Sequence, residues 1–306
     1  MTQRTIRRSF LALATAGLTV VGAQAASAHE GHEGPMTVTI PFTAVNGAAP
    51  VACGTPVTGL GTTAATAQIR DFRFYVSNVR LIRKNGTSVL LTLTPKRGYT
   101  VVRGGNRTTL IDLENGTGSC DQGDKAVNTV VRGTVPHGEY VGMRFYMGVP
   151  FPLNHTDTVG APAPLDITAM TWSWQAGRKF AKIEVTDPAG AAGTWASKTF
   201  NVHLGSTGCL GNPATGATTN CLASNRMTVR FGKFDTAKQK VTVDLGALLT
   251  GNDITVNRAG ATGCMSGGTD PECGPVFGAL GIDWKADGTG TGASTGTQTL
   301  FKAIAR

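Results

Sequence analysis

The stretch IRDFRFYVSNVRLI, residues 69–82, sets Phe72, Phe74 and Val76 in alternation with polar residues before Val79 and Leu81. A period of two marks a half-buried β-strand, because successive side chains point to opposite faces. Similar runs recur at MTVTIPFTAV (36–45), SVLLTLT (88–94), TTLIDLE (108–114), KAVNTVVRGTV (125–135) and EYVGMRFYMGV (139–149). They continue at KFAKIEVTD (179–187), SKTFNVHLG (197–205), NRMTVRFGKF (225–234) and KVTVDLGALL (240–249). Gly, Asn and Pro turns separate them, and the 41 glycines favour short strands and tight turns over helices. Lys84-Asn85-Gly86 is a hairpin signal between 69–82 and 88–94. Such a chain is expected to be all-β, an antiparallel β-sandwich with long disulfide-stapled loops. No internal repeat or shift of composition marks a boundary, so residues 37–306 read as a single domain. Residues 285–298, KADGTGTGASTGTQ, are of low complexity and read as a mobile loop.

The first residues carry Arg4, Arg7 and Arg8, an apolar run from Phe10 to Val21, and Ala26-Ser27-Ala28. This is the pattern of an export signal over residues 1–28, with an apolar run too short to span a bilayer. The Arg7-Arg8 pair suggests the twin-arginine route. Cleavage after Ala28 would leave His29 at the new N-terminus, followed by a flexible leader over 29–36. The expected location is therefore the periplasm. The formal net charge of +9 is spread along the chain, with no basic stripe of the kind that binds nucleic acid.

Six cysteines in an exported chain suggest disulfides, and six allow fifteen pairings. Cys53–Cys120, Cys209–Cys221 and Cys264–Cys273 are the expected set, since the last two would staple local loops. No C-x-x-C supports a thiolate metal site.

Five histidines, His29, His32, His137, His155 and His203, would suit copper or zinc. His137, after Pro136, reads as a surface turn residue. No nucleophile elbow, H-E-x-x-H or phosphate loop is present, so a hydrolase is poorly supported. In TWSWQAGRKF (171–180), Trp172 and Trp174 lie two apart and would share one strand face. By pattern alone, Trp172 reads as a core aromatic.

Several segments together resemble the MbnP family, exported bacterial proteins also labelled metallo-mystery pair four-Cys proteins. They are DFRFYVSNVRLI (71–82), LIDLENGTGSC (110–120), MGVPFPLNHTD (147–157), PLDITAMTWSWQAGRKFAKIEV (164–185), FNVHLGSTGC (200–209), VTVDLGALL (241–249) and CMSGGTDPECGPVFGALGI (264–282). The resemblance implies a non-enzymatic copper-binding protein of copper homeostasis, encoded beside MbnH, a di-haem enzyme related to MauG. That partner would oxidise Trp172, the first tryptophan of W-x-W, to kynurenine, with Trp174 its unmodified neighbour. An intact indole N–H only donates, whereas the aryl amine of kynurenine carries a lone pair suited to Cu(I). His155 and His203 lie in the matching segments and are the expected imidazole ligands, with Asp157 orienting an imidazole through its carboxylate. His29 is the rival ligand, through its ring and its freed amine. Two other readings stand beside this one. The first is a copper-dependent oxygenase with an N-terminal histidine brace at His29. The second is a carbohydrate-binding or adhesion module whose tryptophans stack on sugars.

Overall fold

The computed structural model describes Met1 and residues 34–172, 177–212 and 217–306. The predicted signal after Met1 and the leader as far as residue 33, with His29 and His32, lie outside these residues, and so does Trp174, while Met36, expected in the leader, opens the first strand. Two sheets form the fold. One runs in the order Phe301–Ala305, Gln239–Asp244, Met36–Asn46, Val130–Val135 and Thr92–Leu93. The other runs Thr199–Leu204, Ala181–Thr186, Ala65–Arg83, Tyr140–Met147 and Met227–Phe231, with Asn106–Asp112 also paired to Ala65–Arg83. Aromatic rings lock the sheets together. Phe42 lies 5.8 Å, centroid to centroid, from both Phe74 and Phe145 across the core, and Phe301 lies 5.3 Å from Phe145. Edge-to-face pairs at such distances add to the apolar area they bury. The expected all-β sandwich is thus the observed fold, with one departure: Met36–Asn46 pairs in parallel with Gln239–Asp244.

The strand predicted at 69–82 spans Ala65–Arg83, and its turn closes through the Arg83 N–H to Thr87 carbonyl hydrogen bond, with Gly86 at φ +82°. The single strand expected at 88–94 is two. Ser88–Leu90 pairs with Ala65–Arg83, and Thr92–Leu93 pairs with Val130–Val135 of the other sheet. The fully buried Leu91 marks the crossing. KVTVDLGALL stops being a strand at Asp244, whose carboxylate accepts the Ala247 N–H and caps a helix over Leu245–Leu249. Residues 285–298 are tied down rather than loose. Asp287 and Asp283 accept the N–H and O–H of Thr289 and Thr291 respectively, and Ile282 bridges Ser294.

Both faces of residues 71–77 are buried. The inner face carries Phe72 and Phe74 toward the sandwich core. The outer face carries Asp71, Arg73 and Tyr75, and a flap built from residues 150–172 and 177–180 covers Tyr75. The Tyr75 hydroxyl donates to the Pro164 carbonyl of that flap at 2.8 Å.

The three expected disulfides are present: Cys53–Cys120, Cys209–Cys221 and Cys264–Cys273. Cys209–Cys221 crosses a two-stranded ladder, Thr207–Asn212 with Ala217–Ala223. Cys264 adds a rung beside Val202 and ties that edge to the helix Cys273–Leu280. Among the described residues no helix is long and apolar enough to cross a membrane.

Candidate functional site

The flap is organised by Arg178, one of the most deeply buried side chains. Its guanidinium donates to the carbonyls of Leu153, Asn154, Thr156 and Leu165, so it gathers both ends of residues 153–165. Its backbone N–H donates to Asn154 Oδ1 at 2.7 Å. That bond fixes the Asn154 amide, whose Nδ2 then faces His155 Nε2 at 3.0 Å.

TWSWQAGRKF is not one strand. Thr171–Trp172 pairs antiparallel with Gly177–Arg178, and residues 173–176 lie outside the described ones. Trp172 and Gly177 are directly opposite, and opposed residues share a face of a ladder. The bare Gly177 leaves room on that face for the His155 ring. A Cβ there would sit 3.3 Å from His155 Cε1 and 3.4 Å from its Nδ1. His155 and Trp172 are therefore brought together. The His155 ring also lies 4.9 Å, centroid to centroid, from Phe151 at a tilt of 54°, and places Nε2 3.3 Å from Cys221 Sγ. His155, Cys209 and Cys221 lie as close as metal ligands would, but both sulfurs are spent in their disulfide.

The Trp172 ring in turn rests on Gly205, where a Cβ would come within 2.5 Å of Trp172 Cζ3. The indole is 5 % exposed, which leaves no open platform on Trp172 for stacking a sugar. Gly205 follows the strand Thr199–Leu204, whose Phe200, Val202 and Leu204 face the core. By alternation, His203 and Gly205 lie on the outer face with Trp172. Ser266 pins this edge, since its hydroxyl donates to the His203 carbonyl and accepts the Gly205 N–H.

His203 is held by charge. Its Nε2 lies 2.7 Å from Glu184 Oε1, and Lys182 Nζ lies 2.9 Å from the same oxygen. Lys182 also reaches Asp71 at 2.5 Å, and Asp71 pairs with Arg73. Burial works to raise the Glu184 carboxyl. The hydrogen bond from His203 and the charge of Lys182 outweigh it and hold the carboxyl at about 2. Burial lowers the His203 imidazole, against the pull of Glu184, so the neutral ring is favoured. Glu184 only accepts, so Nε2 carries the proton. His203 Nδ1 then keeps its lone pair, and it is buried with no hydrogen-bond partner. A neutral histidine with one nitrogen tied to a carboxylate and the other bare is the form in which imidazole binds metal.

Asp157 Oδ1 accepts the Val159 N–H within its own turn, and the carboxylate found against a histidine ring is Glu184, at His203. Sequence spacing could not reveal Glu184, because it reaches His203 across the ladder between Ala181–Thr186 and Thr199–Leu204.

The MbnP family model matches residues 35–266. A comparison with curated proteins gave no match. Among solved structures, MbnP from Methylosinus trichosporium superimposes with a TM-score of 0.76 at 34 % identity, covering 89 % of this chain and 99 % of its own. The match takes in the flap, the Trp172 ladder and the His203 strand, and on both grounds the chain belongs to the MbnP family.

Proposed function

We propose that this chain is an extracytoplasmic copper-binding protein of copper homeostasis, whose site is completed when a di-haem partner of the MbnH type oxidises Trp172 to kynurenine. The observation that carries the reading is the bare, buried Nδ1 of His203 on the face that holds Trp172. Family membership supports the copper role, and three disulfides suit an oxidising compartment such as the periplasm.

The donor set fits Cu(I). His203 Nδ1 and the imidazole of His155 supply nitrogens, and an aryl amine at position 172 would supply a third. Copper is the cargo, held for storage or delivery. The chain's own residues prepare the place. Glu184 sets the His203 tautomer, Asn154 positions the His155 ring, and Gly205 and Gly177 leave the space that Trp172 and His155 fill. Intact Trp172 has only a donor N–H, so the unmodified protein should bind copper poorly.

The test combines mass spectrometry with copper titration. Protein co-expressed with the partner should carry Trp172 with two oxygens gained and one carbon monoxide lost, and should retain Cu(I) against a chelator. Trp172→Phe should fold yet not retain it, and His203→Ala should lose affinity by about tenfold or more, as expected when a ligand nitrogen is removed. Full retention by Trp172→Phe, or by protein made without the partner, would overturn the proposal.

A further inference from the structure

Beside the Cys209–Cys221 bridge lies a second cavity of about 520 Å³, which shares Cys221 and Phe151 with the His155 corner. Arg226 lines it. The guanidinium lies over the Tyr146 ring, 4.7 Å from its centroid, and donates one bond, at 3.3 Å, to Ser77 Oγ. Its Nε is buried with no acceptor. Among the described residues no Asp or Glu lines the cavity and no carboxylate pairs with Arg226.

Three other cations of the outer face are compensated. Arg73 and Lys182 share Asp71, and Arg178 is wrapped in carbonyls. Arg226 alone among these four has neither a counter-charge nor a set of carbonyls around it, and burial pushes its pKa down. A half-buried cation in that condition is costly, and an entering anion relieves the cost. A hydroxyl is also available. Ser294 Oγ accepts the Thr228 N–H at 3.0 Å, which leaves its own proton free to donate. The remaining wall includes the apolar side chains of Val149 and Phe151.

We propose that this cavity is a binding site for a small monoanion with an apolar body, a carboxylate held by Arg226 and Ser294 with its hydrocarbon part against Val149 and Phe151. One cation matches one negative charge, and Val149 and Phe151 offer a hydrocarbon part an apolar surface that phosphate could not use, although Ser206, Asn220, Ser224 and Thr228 make the rest of the wall polar. The bound molecule would touch Phe151 and Cys221, the two residues against which His155 rests. The site goes beyond the copper reading and does not depend on it, since neither copper nor Trp172 enters the argument.

The test uses metal-free full-length protein made without the partner, titrated by calorimetry and by amide NMR shifts with benzoate, benzamide and inorganic phosphate. Benzoate should bind saturably, shift amides at 149–151, 221 and 226, and outcompete both other probes. Arg226→Met should weaken benzoate by about tenfold or more, as loss of a charge-assisted bond does. Ser294→Ala should weaken it less. Arg226→Lys keeps the charge but not the planar fork and should fall between wild type and Met. This series still reads out if Arg226→Met does not fold. Benzoate binding no better than benzamide, phosphate binding tighter than benzoate, or unchanged affinity in Arg226→Lys and Ser294→Ala together would each overturn the assignment.

Discussion

Arg178 organises the flap through backbone carbonyls alone, so its removal should be felt as lost structure. Arg178→Met would leave the carbonyls of Leu153, Asn154, Thr156 and Leu165 buried without their donor. A destabilisation of about 3 kcal/mol or more is expected, read as a lower urea midpoint. Gly205→Ala is a sharper probe of the site. The added methyl needs the space that Trp172 Cζ3 occupies, and the Arg178 carbonyl 3.0 Å away blocks retreat on the other side. The variant should lose about 1–3 kcal/mol and shift Trp172 fluorescence, while Gly278→Ala, where nothing lies within 4 Å, should do neither. At this scale the sequence was half legible. Trp172, His155 and His203 could be picked out by residue type and motif. Glu184, Gly205, Gly177 and Arg178 could not, because each acts across a ladder or a flap, and no local pattern encodes which residue lies opposite.

Strands could be read where one face is buried and the other is not, since only there does composition alternate. The ladder of Thr207–Asn212 with Ala217–Ala223 has little buried on either face, and its residues show no such rhythm. Only its cysteines announced it. Its stability should accordingly rest on the Cys209–Cys221 bond. The Cys209→Ser, Cys221→Ser double variant should lose about 2–3 kcal/mol, as for other short loops closed by a bridge. Hydrogen exchange should quicken over 207–212 and 217–223, while Phe72–Tyr75, in the strand at the centre of its sheet, stays protected. Uniform acceleration across both regions would mean that the bridge holds the whole fold and not this ladder. The helix over Leu245–Leu249 escaped the reading for a different reason: LGALL carries no polar residue to show a period, and the switch from strand to helix depends on the Asp244 cap.

For the molecule as a whole, pH should tell against stability over an unusual range. Asp112 is buried at the end of the strand Asn106–Asp112, opposite Arg73, and its carboxyl is raised to about 8, by burial first and then by the charge of Glu114, against the pull of Arg73. Unfolded, the same carboxyl titrates near its ordinary value of 3.8. Between these values the folded state holds the extra proton. This contribution is complete below about pH 4, declines as pH rises and is gone above about 8. The melting temperature should therefore fall between pH 5 and pH 8 at fixed ionic strength, and Asp112→Asn should flatten that slope. A wild-type slope that survives the substitution would assign the effect to other groups. The parallel pairing of Met36–Asn46 with Gln239–Asp244, flanked by Phe301–Ala305, has a kinetic counterpart. The opening strand of the sandwich cannot find that neighbour until most of the chain exists, and Arg306 itself donates to the Thr39 carbonyl. Contacts of such long sequence separation slow folding toward the range of milliseconds to seconds. A nascent chain would thus linger with its first strand's edge bare until Gln239–Asp244 arrives, and Phe301–Ala305 would then act as the clasp that covers that late strand in turn.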